Sequence, residues 1–455
     1  MTNDELTRGN RPVSFRRELI VRVLGVLMAG ESCSLVGVGS SGKSNVARHL
    51  ARREVLAYHL GEQSAGCLSV LVNCTHLAEY TLAALHTLIL DALLHALNDA
   101  LPAHSAEVIA RVAVLRDQAI ESALAERARI NLQEALVAAF RSGFERIFVL
   151  LDDFDHVVQR APPSVLNSLR PLRDNHKGRL MYVTFTRREL GYLRDEAEFQ
   201  ELHELVAANP IAVGSYSDND ARAMVQQLSE QWGLSSKLSA TTVETLLAWS
   251  GNHPGLLRAI LAAMRRSSSR PPDASLARLQ SDYNVMSECE RIWESLEAEE
   301  HVALISIARQ GRAAYDELKP LLAKGLVERS LSDGYRIRSP LFAAFVKEQT
   351  RPEAGHGLFE FDPARNEARI YGHVIRALDS VELSLLRRIC QCYPQSAARA
   401  RLLADMQASE TLPRRYSGSP DARLSQYLMG LKRRLALAEL DCLRIHSDGS
   451  CQLVP

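Results

Sequence analysis

The sequence predicts an α/β core built on a parallel sheet, followed by a helical segment and two small units that each combine helices with a hairpin. Three observations lead to this fold class. Short, apolar, β-branched runs alternate with helical patterns over the first 212 residues, as expected for strands buried on both faces of a parallel sheet. From about residue 213 the pattern is helical. Around residues 287–350 and 358–455, helices precede two short strands joined by a Ser-Asp-Gly turn.

The strands of the predicted core are short runs without internal charge. They cover residues 33–38, 68–73, 146–151 and 180–185. A helical pattern at residues 15–29 precedes the first strand, and a long helical region from about residue 81 to 139, interrupted near Pro102, separates the second strand from the third. The charged stretch Glu121–Arg129 in this region is typical of a solvated helix face.

A glycine-rich loop joins the first strand to the next helix and has the pattern G-x-x-x-x-G-K-[ST]. Small residues let backbone N–H groups surround phosphate oxygens, and the following helix directs its positive end at them. In this pattern the lysine reaches the β- and γ-phosphates and the serine hydroxyl binds Mg²⁺. A glycine turn arising by chance is the alternative, at a rate on the order of one in a hundred for such a chain. The predicted ATP or ADP ligands are Gly37, Gly39, Ser40, Ser41, Gly42, Lys43 and Ser44.

Acidic residues end the third predicted strand, about 110 residues after the glycine loop. At the carboxyl end of a parallel strand, Asp152 is expected to join Ser44 in binding Mg²⁺. Asp153 is then expected to orient or deprotonate the attacking water, with Asp155 the next candidate. Many buried strands end in Asp, so the pairing with the glycine loop carries this prediction. The sequence therefore predicts a P-loop ATPase core.

Two arginines, Arg187 and Arg188, follow the fourth predicted strand. A cation at this strand end would sense the γ-phosphate, which makes Arg187 a candidate catalytic residue. The alternative is a surface arginine pair that caps the strand. The pattern alone leaves both open.

Bulk properties limit the remaining classes. The 455-residue chain has 54 Lys and Arg against 54 Asp and Glu, so any nucleic-acid surface must be local. The polar, acidic start does not resemble a signal peptide. The most apolar stretch, residues 80–97, contains His86, Asp91 and His95 and is predicted to be a core helix, not a membrane span. Cys390 and Cys392 lack a second pair at metal-ligand spacing, which predicts buried free thiols. We expect a cytoplasmic protein.

The changes of pattern predict five segments. These are an α/β ATPase domain at 1–212, a helical lid at 213–286, a winged helix domain at 287–350, a linker at 351–357 and a second winged helix domain at 358–455.

Residues from about 12 to 350 resemble the STAND class of P-loop signal-transduction ATPases, which are related to AAA+ and origin-recognition-like ATPases. The resemblance rests on the glycine loop, Asp152-Asp153, Thr186-Arg187 and the turn Gly251–Gly255. It implies that residues 12–19 lie beside the base, that Pro254 contacts adenine, and that Arg187 senses the γ-phosphate. It also implies self-association and a protein partner.

Residues 358–455 resemble the DNA-binding domain of OmpR/PhoB-type response regulators. The likeness covers the opening strands, the helix start at Leu378–Leu386, the run Leu428–Leu435 and the closing hairpin. It implies that a recognition helix over 421–438 enters the major groove of duplex DNA. The residues expected to face outward toward bases are Arg423, Ser425 and Tyr427, and those expected near phosphates are Lys432 and Arg433.

DNA contact is one of two interpretations of this last domain. Residues 366–455 contain 13 Lys or Arg and 9 Asp or Glu, a net charge of +4. This mild excess is compatible with DNA binding and with a winged helix that docks on a protein.

Three functional hypotheses follow. The first is an ATP-controlled switch of oligomerisation that delivers the C-terminal module to DNA, in transcription control or antiviral defence. The second is a DNA-loading or remodelling ATPase of the origin-recognition kind. The third is a scaffold that holds nucleotide structurally. Turnover separates them, since it is slow and partner-triggered in a switch, DNA-stimulated in a motor and absent in a scaffold.

Overall fold

The computed structural model describes most of the chain, and every statement below concerns that part. The described residues are 11–101, 106–122, 124–234, 238–266, 276–313, 315–330, 334–349, 359–362, 367–370, 373–376, 378–393, 395–410, 416, 418–437, 440, 442–446 and 448–453. They fall into two compact units. The first holds the described residues up to Glu297 and those of 314–342, and the second holds 298–313 and those from 343 onward. The predicted domain boundaries stay a prediction.

A five-stranded parallel sheet forms the centre of the first unit. Its strands are β1 (Cys33–Val36), β2 (Cys67–Asn73), β3 (Arg146–Asp152), β4 (Leu180–Thr186) and β5 (Pro210–Ala212), in the order β2-β3-β4-β1-β5. The four predicted strands are all present. The short edge strand β5 was not predicted, because only Ile211 is buried in it and it opens on a proline, a residue tolerated at sheet edges.

Helices cover both faces of this sheet. They are α1 (Arg17–Met28), α2 (Lys43–Leu50), α3 (Arg53–Leu60), α4 (Leu82–Ala100), α5 (Ala106–Ser122), α6 (Ala125–Arg141), α7 (Asp155–Arg160), α8 (Pro163–Asn167), α9 (Leu169–Asp174), α10 (Leu190–Leu193) and α11 (Gln200–Val206). Apolar side chains of α1, α2 and α3 share one core with the sheet, and those of α4, α6, α7 and α11 share the other. The three layers confirm the predicted α/β class.

Helices dominate the rest of the first unit, as predicted. They are α12 (Asp218–Trp232), α13 (Ala240–Ser250), α14 (Pro254–Arg266), α15 (Leu276–Gln280) and α16 (Tyr283–Glu294). After α17 (Ala298–Gln310), which belongs to the second unit, the first unit continues with α18 (Tyr315–Ala323), the hairpin β6 (Val327–Arg329) with β7 (Tyr335–Ile337), and the first three residues of α19 (Pro340–Gln349). This is the predicted order of helices and hairpin.

The C-terminal part of the chain has its own apolar core within the second unit. Its elements are β8 (Phe359–Asp362), β9 (Glu367–Ile370), β10 (His373–Ile375), α20 (Ser380–Cys392), α21 (Arg399–Ser409), α22 (Pro420–Leu437), β11 (Leu443–Ile445) and β12 (Cys451–Leu453). The predicted opening strands, helices and closing hairpin are present. The three-residue strand β10 was not predicted, because it is too short for a period to appear. Cys390 is a buried free thiol, as expected, and Cys392 is a free thiol that is only half-buried.

The order of strands in the sheet determines which strand ends lie next to each other. The glycine loop follows β1, and Asp152 ends β3. Arg187 follows β4, which lies between β3 and β1. Because all these strands are parallel, their carboxyl ends share one edge of the sheet.

Candidate nucleotide-binding site

The backbone of the glycine loop has a conformation and close contacts that residues with side chains could not adopt. Gly42 has a φ of 90° and immediately precedes α2. A Cβ on Gly39 would lie 2.6 Å from the carbonyl oxygen of Arg291, and one on Gly37 would lie 2.8 Å from that of Val213. These contacts leave no room for side chains, so the loop presents its backbone at the start of a helix. Such a loop is a ready site for phosphate.

Lys43 is the cation of this loop, and it is buried. Its Nζ donates to the carbonyl oxygens of Gly37 at 2.6 Å and Val38 at 3.0 Å. Burial lowers the pKa of Lys43 to about 8, and the nearby charge of Arg187 also lowers it. The Lys43 ammonium is therefore held inside the loop by neutral carbonyl groups. A bound phosphate would supply a negative charge to pair with it.

Ser44 and Asp152, the two residues expected to bind Mg²⁺, are in direct contact. The Ser44 hydroxyl donates to Asp152 Oδ1 at 3.1 Å across two separate elements. Burial raises the pKa of Asp152 to about 6, and the charge of Asp153 adds to the rise. No cluster of three or more His, Cys, Asp or Glu side chains suited to a metal occurs in the described chain. A hydroxyl and one carboxylate nevertheless fit Mg²⁺, which takes its other ligands from phosphates and water.

The other two acids after β3 are placed differently. Asp153 has a φ of 52° and is half-buried, and its amide donates to Asp152 Oδ1 at 3.1 Å. Asp155 is buried, and its Oδ1 accepts the backbone N–H of Arg187 at 2.8 Å. Asp155 therefore ties β3 to β4, which leaves Asp153 the better candidate for contact with water.

The two arginines after β4 have separate surroundings. Arg187 is exposed, and its charge acts on Lys43. The Arg188 guanidinium donates to the carbonyl oxygens of Glu294 at 3.0 Å and Leu296 at 3.1 Å. Arg188 therefore holds the end of α16 and is not one of a matched surface pair. The role of Arg187 stays a prediction.

The turn before α14 lies against the loop. Gly251 and Asn252 both have a φ of 58°, and Asn252 Nδ2 donates to Asp218 Oδ1 at 2.6 Å. Pro254, which is buried, opens α14. A Cβ on the next residue, Gly255, would lie 2.5 Å from the Cβ of Ser40. Pro254 is thus beside the loop, and its contact with adenine stays a prediction.

Arg16 is a site residue that the sequence pattern did not single out within residues 12–19. It is 7% exposed and has a φ of 50°. Its guanidinium donates to Ser41 O at 2.7 Å and Gly214 O at 2.9 Å, and lies 4.5 Å from the ring centroid of Tyr216. Burial lowers its pKa. Arg16 therefore ties the N-terminal segment to the loop and to the start of the helical region. No sequence signal distinguishes it from Arg17.

Ser295 is a second residue without a sequence signal. It is 3% exposed, lies just after α16, and its Oγ accepts the backbone N–H of Gly39 at 2.8 Å. The same hydroxyl donates to Ile292 O at 2.7 Å. One amide of the glycine loop is thus bound by the end of α16.

The structure corrects two of the five residues expected on the DNA-facing side of α22. Arg423 is 5% exposed and pairs with Glu410 at 2.9 Å, and Tyr427 is 2% exposed and packs against Tyr416. Both point inward because they lie beside Leu424 and Leu428 on the apolar face of the helix. Ser425 and Arg433 are exposed and Lys432 is half-buried. DNA contact by these three stays a prediction.

None of the helices in the described residues combines the length and apolarity needed to span a bilayer.

No protein-family model and no curated protein matches the chain. Solved structures do. A Walker-type ATPase of Pyrococcus abyssi is 14% identical with a TM-score of 0.46, and the match covers 74% of this chain and 99% of that one. Cdc6p of Pyrobaculum aerophilum is 14% identical with a TM-score of 0.38, covering 77% and 99%. The ORC1 protein of Aeropyrum pernix, solved in complex with DNA, is 16% identical with a TM-score of 0.37, covering 76% and 94%.

Proposed function

We propose that this chain binds ATP or ADP with Mg²⁺ at the glycine loop and hydrolyses ATP. The observation that carries the proposal is the 3.1 Å hydrogen bond between Ser44 and Asp152. It brings together a hydroxyl at the start of α2 and a carboxylate at the end of β3, next to the buried ammonium of Lys43. Two oxygen ligands and a cation in this arrangement are what phosphoryl transfer requires.

Each residue of the proposed site has a role that follows from its position. The loop amides, the positive end of α2 and Lys43 offset negative charge on the β- and γ-phosphates. Bound Mg²⁺, held by Ser44 and Asp152, supplies further charge neutralisation. Asp153 orients the attacking water or accepts its proton. Arg187 adds a third cation near Lys43, where charge develops on the leaving phosphates.

The type of ATPase has two candidates. The STAND hypothesis describes a slow switch, and the origin-recognition hypothesis describes an AAA+-like enzyme that acts on DNA. We favour the second, with which the names of the similar solved structures agree: Cdc6p and an ORC1 protein solved with DNA. Self-association and control of the C-terminal module by nucleotide are part of the proposal in either case.

The C-terminal module is proposed to bind duplex DNA, as its resemblance to OmpR/PhoB-type domains implies. Two features of α22 support this. Ser425 and Arg433 are exposed on it, and Lys432 is half-buried between them and the apolar face. An exposed arginine near the end of a helix is suited to phosphate contact. A protein partner in place of DNA is the competing outcome.

ATP turnover by the full-length chain tests the proposal. We expect turnover that requires Mg²⁺, rises with duplex DNA and is lost in Lys43→Ala. Calorimetry with ADP should show that Lys43→Ala also weakens binding, because a charge-assisted contact is removed. Turnover indifferent to DNA would favour the switch. Binding of nucleotide without turnover would favour the scaffold, and equal binding by wild type and Lys43→Ala would remove the site.

A further inference from the structure

A cavity that no step proposed so far uses lies between the sheet and the helices α10 and α11. Its volume is about 390 Å³, which is within the range of small-molecule sites, about 300–1,000 Å³. Ser34 and Val36 of β1 line it, whereas Cys33 and Leu35 pack in the core that the sheet shares with α2. The cavity is therefore on the face of the sheet opposite α2, the helix that follows the glycine loop.

The floor of this cavity carries a hydroxyl that the protein leaves unpaired. Ser34 is 3% exposed, and its Oγ has no hydrogen-bond partner within the described structure. Ser34 and Val36 line the cavity and Leu35 between them does not, so the side chains of the alternate residues face it. A strand buried in a parallel sheet usually carries apolar side chains on both faces. A buried hydroxyl without a partner therefore requires an explanation at this position.

The neighbouring strand adds a second unpaired hydroxyl on the same face of the sheet. Thr184 of β4 is the ladder partner of Ser34, so both side chains point to the same side. Thr184 is fully buried, and its Oγ1 also lacks a hydrogen-bond partner in the described part of the chain. On the other face of these two strands, Leu35 and Val183 belong to an apolar core. The unpaired hydroxyls are thus confined to the side of β1 that faces the cavity.

The walls of the cavity are acidic. They include Glu189 and Glu196, and no lysine or arginine occurs among the described lining residues. Glu196 Oε1 lies 3.2 Å from Nε2 of His203, which also lines the cavity. A Cβ on Gly191 would collide with this Glu196 oxygen, so the absence of a side chain there lets the carboxylate reach the wall. The lining is net negative whether or not His203 is protonated, which disfavours phosphates and carboxylates and favours a cation.

We propose that this cavity binds a small organic cation, an alkylammonium compound that also carries a hydroxyl group. The ammonium pairs with the wall carboxylates of Glu189 and Glu196, since hydrogen bonds between ionised groups are the strong ones. The hydroxyl end reaches Ser34, whose own hydroxyl can donate and accept. Water would satisfy Ser34 equally well, but water would not discriminate between charged and neutral solutes. The site is separate from the glycine loop, so this inference does not rest on the proposed nucleotide site.

The test compares three compounds of matched length on the full-length chain. The probe is 4-aminobutan-1-ol, its neutral control is butane-1,4-diol and its anionic control is 4-hydroxybutanoate. Calorimetry measures binding of each compound to wild type, to Ser34→Ala and to the double variant Glu189→Gln/Glu196→Gln. Glu201→Gln is the control variant, because Glu201 is exposed on α11 and does not line the cavity. Thermal unfolding without ligand reports on the fold of each variant.

We expect wild type to bind 4-aminobutan-1-ol, and to bind the diol and the anion at least about tenfold more weakly, because they lack the ammonium. The double variant should lose about tenfold or more in affinity for the amine, and Glu201→Gln should match wild type. Ser34→Ala should bind it about twofold to tenfold more weakly and unfold no earlier than wild type, because the hydroxyl it removes has no partner in the protein. No binding of the amine, equal binding of the diol, or full affinity in the double variant would overturn the inference and leave the cavity to water.

Discussion

The Ser295 hydroxyl accepts the backbone N–H of Gly39 at 2.8 Å, although the two residues lie 256 positions apart in the chain. The adjoining residues are held as well, because Arg188 binds the carbonyl oxygens of Glu294 and Leu296. The end of α16 is therefore bound both to the loop after β1 and to the end of β4. These are the two places where a triphosphate is expected, so a nucleotide that recruits the Gly39 amide must compete with Ser295.

This competition gives the first prediction. Ser295→Ala should raise nucleotide affinity about twofold to tenfold. In this variant the Gly39 amide has no hydrogen bond to Ser295 to give up when nucleotide binds, and a typical hydrogen bond contributes about 0.5–1.5 kcal/mol. The free energy of unfolding without nucleotide should fall by a similar amount. Calorimetry and denaturant unfolding measure the two effects.

Ser281→Ala is the matched control for Ser295. Ser281 lies between α15 and α16, is exposed, and donates only to the nearby Arg278 carbonyl at 2.9 Å. This variant should change neither quantity. If Ser295→Ala binds nucleotide more weakly than wild type, Ser295 supports the bound state and the competition is absent.

The second prediction separates binding from chemistry at Asp153. Asp153→Asn should keep ATP bound while turnover falls about a hundredfold or more, since asparagine lacks the basic oxygen that a water requires. Asparagine also accepts the positive φ of this position, so the backbone is preserved. Single-turnover kinetics with equilibrium binding test this. Normal turnover in the variant would assign the base to another residue.

The third prediction concerns pH. Bound phosphate favours protonated Lys43, whose pKa is about 8 without nucleotide. Below pH 8 the lysine is already charged, and above it each binding event must take up a proton, so affinity should fall by up to about tenfold per pH unit. Bound Mg²⁺ requires ionised Asp152, whose pKa is about 6. The Mg²⁺-dependent part of the affinity should therefore fall as pH drops below 6.

Two variants test which residue causes each of these declines in affinity. Calorimetry over pH 5 to 9.5 in buffers of different ionisation enthalpy counts the protons exchanged. Lys43→Ala should lose the decline above pH 8, and Asp152→Asn should lose the Mg²⁺-dependent decline below pH 6. Comparison with wild type removes the titration of the nucleotide itself. Proton uptake that persists above pH 8 in Lys43→Ala would contradict the first assignment.

The fourth prediction tests the C-terminal module. Arg433→Ala should weaken binding to duplex DNA and lower the salt slope by about one, since one phosphate contact is lost. Arg423→Ala should instead destabilise the fold by about 3–5 kcal/mol, because it removes the guanidinium that pairs with the buried Glu410 carboxylate. Fluorescence anisotropy at several salt concentrations, with thermal unfolding, distinguishes the two effects.

Arg376→Ala is the control for this pair. Arg376 follows β10, and its side chain is 76% exposed, so its loss should leave the fold intact and DNA binding close to wild type. Absence of DNA binding by full-length protein at low salt, with and without ATP, would show that the module docks on protein.

Local patterns in the sequence determined the parallel α/β core, the glycine loop and the acidic end of β3. Each depends on short-range rules: β-branched apolar runs form buried strands, and G-x-x-x-x-G-K-S has a defined loop geometry. The meeting of Ser44 with Asp152 was also predictable, since parallel strands present their carboxyl ends on one edge of a sheet. The periodicity of α22 correctly placed its leucines inward.

Tertiary structure alone decided which polar side chains join these elements. Arg16 and Ser295 come from two distant segments, and no spacing rule relates them to the loop. For Arg423 and Tyr427 the sequence predicted a surface position, and the tertiary structure buries both. Their positions in the resemblance to OmpR/PhoB-type domains suggested a surface for DNA. An inward arginine becomes favourable once Glu410 is folded beside it, and an inward tyrosine once Tyr416 packs on its ring. The free energy of a buried polar group depends on the partner that the fold brings to it.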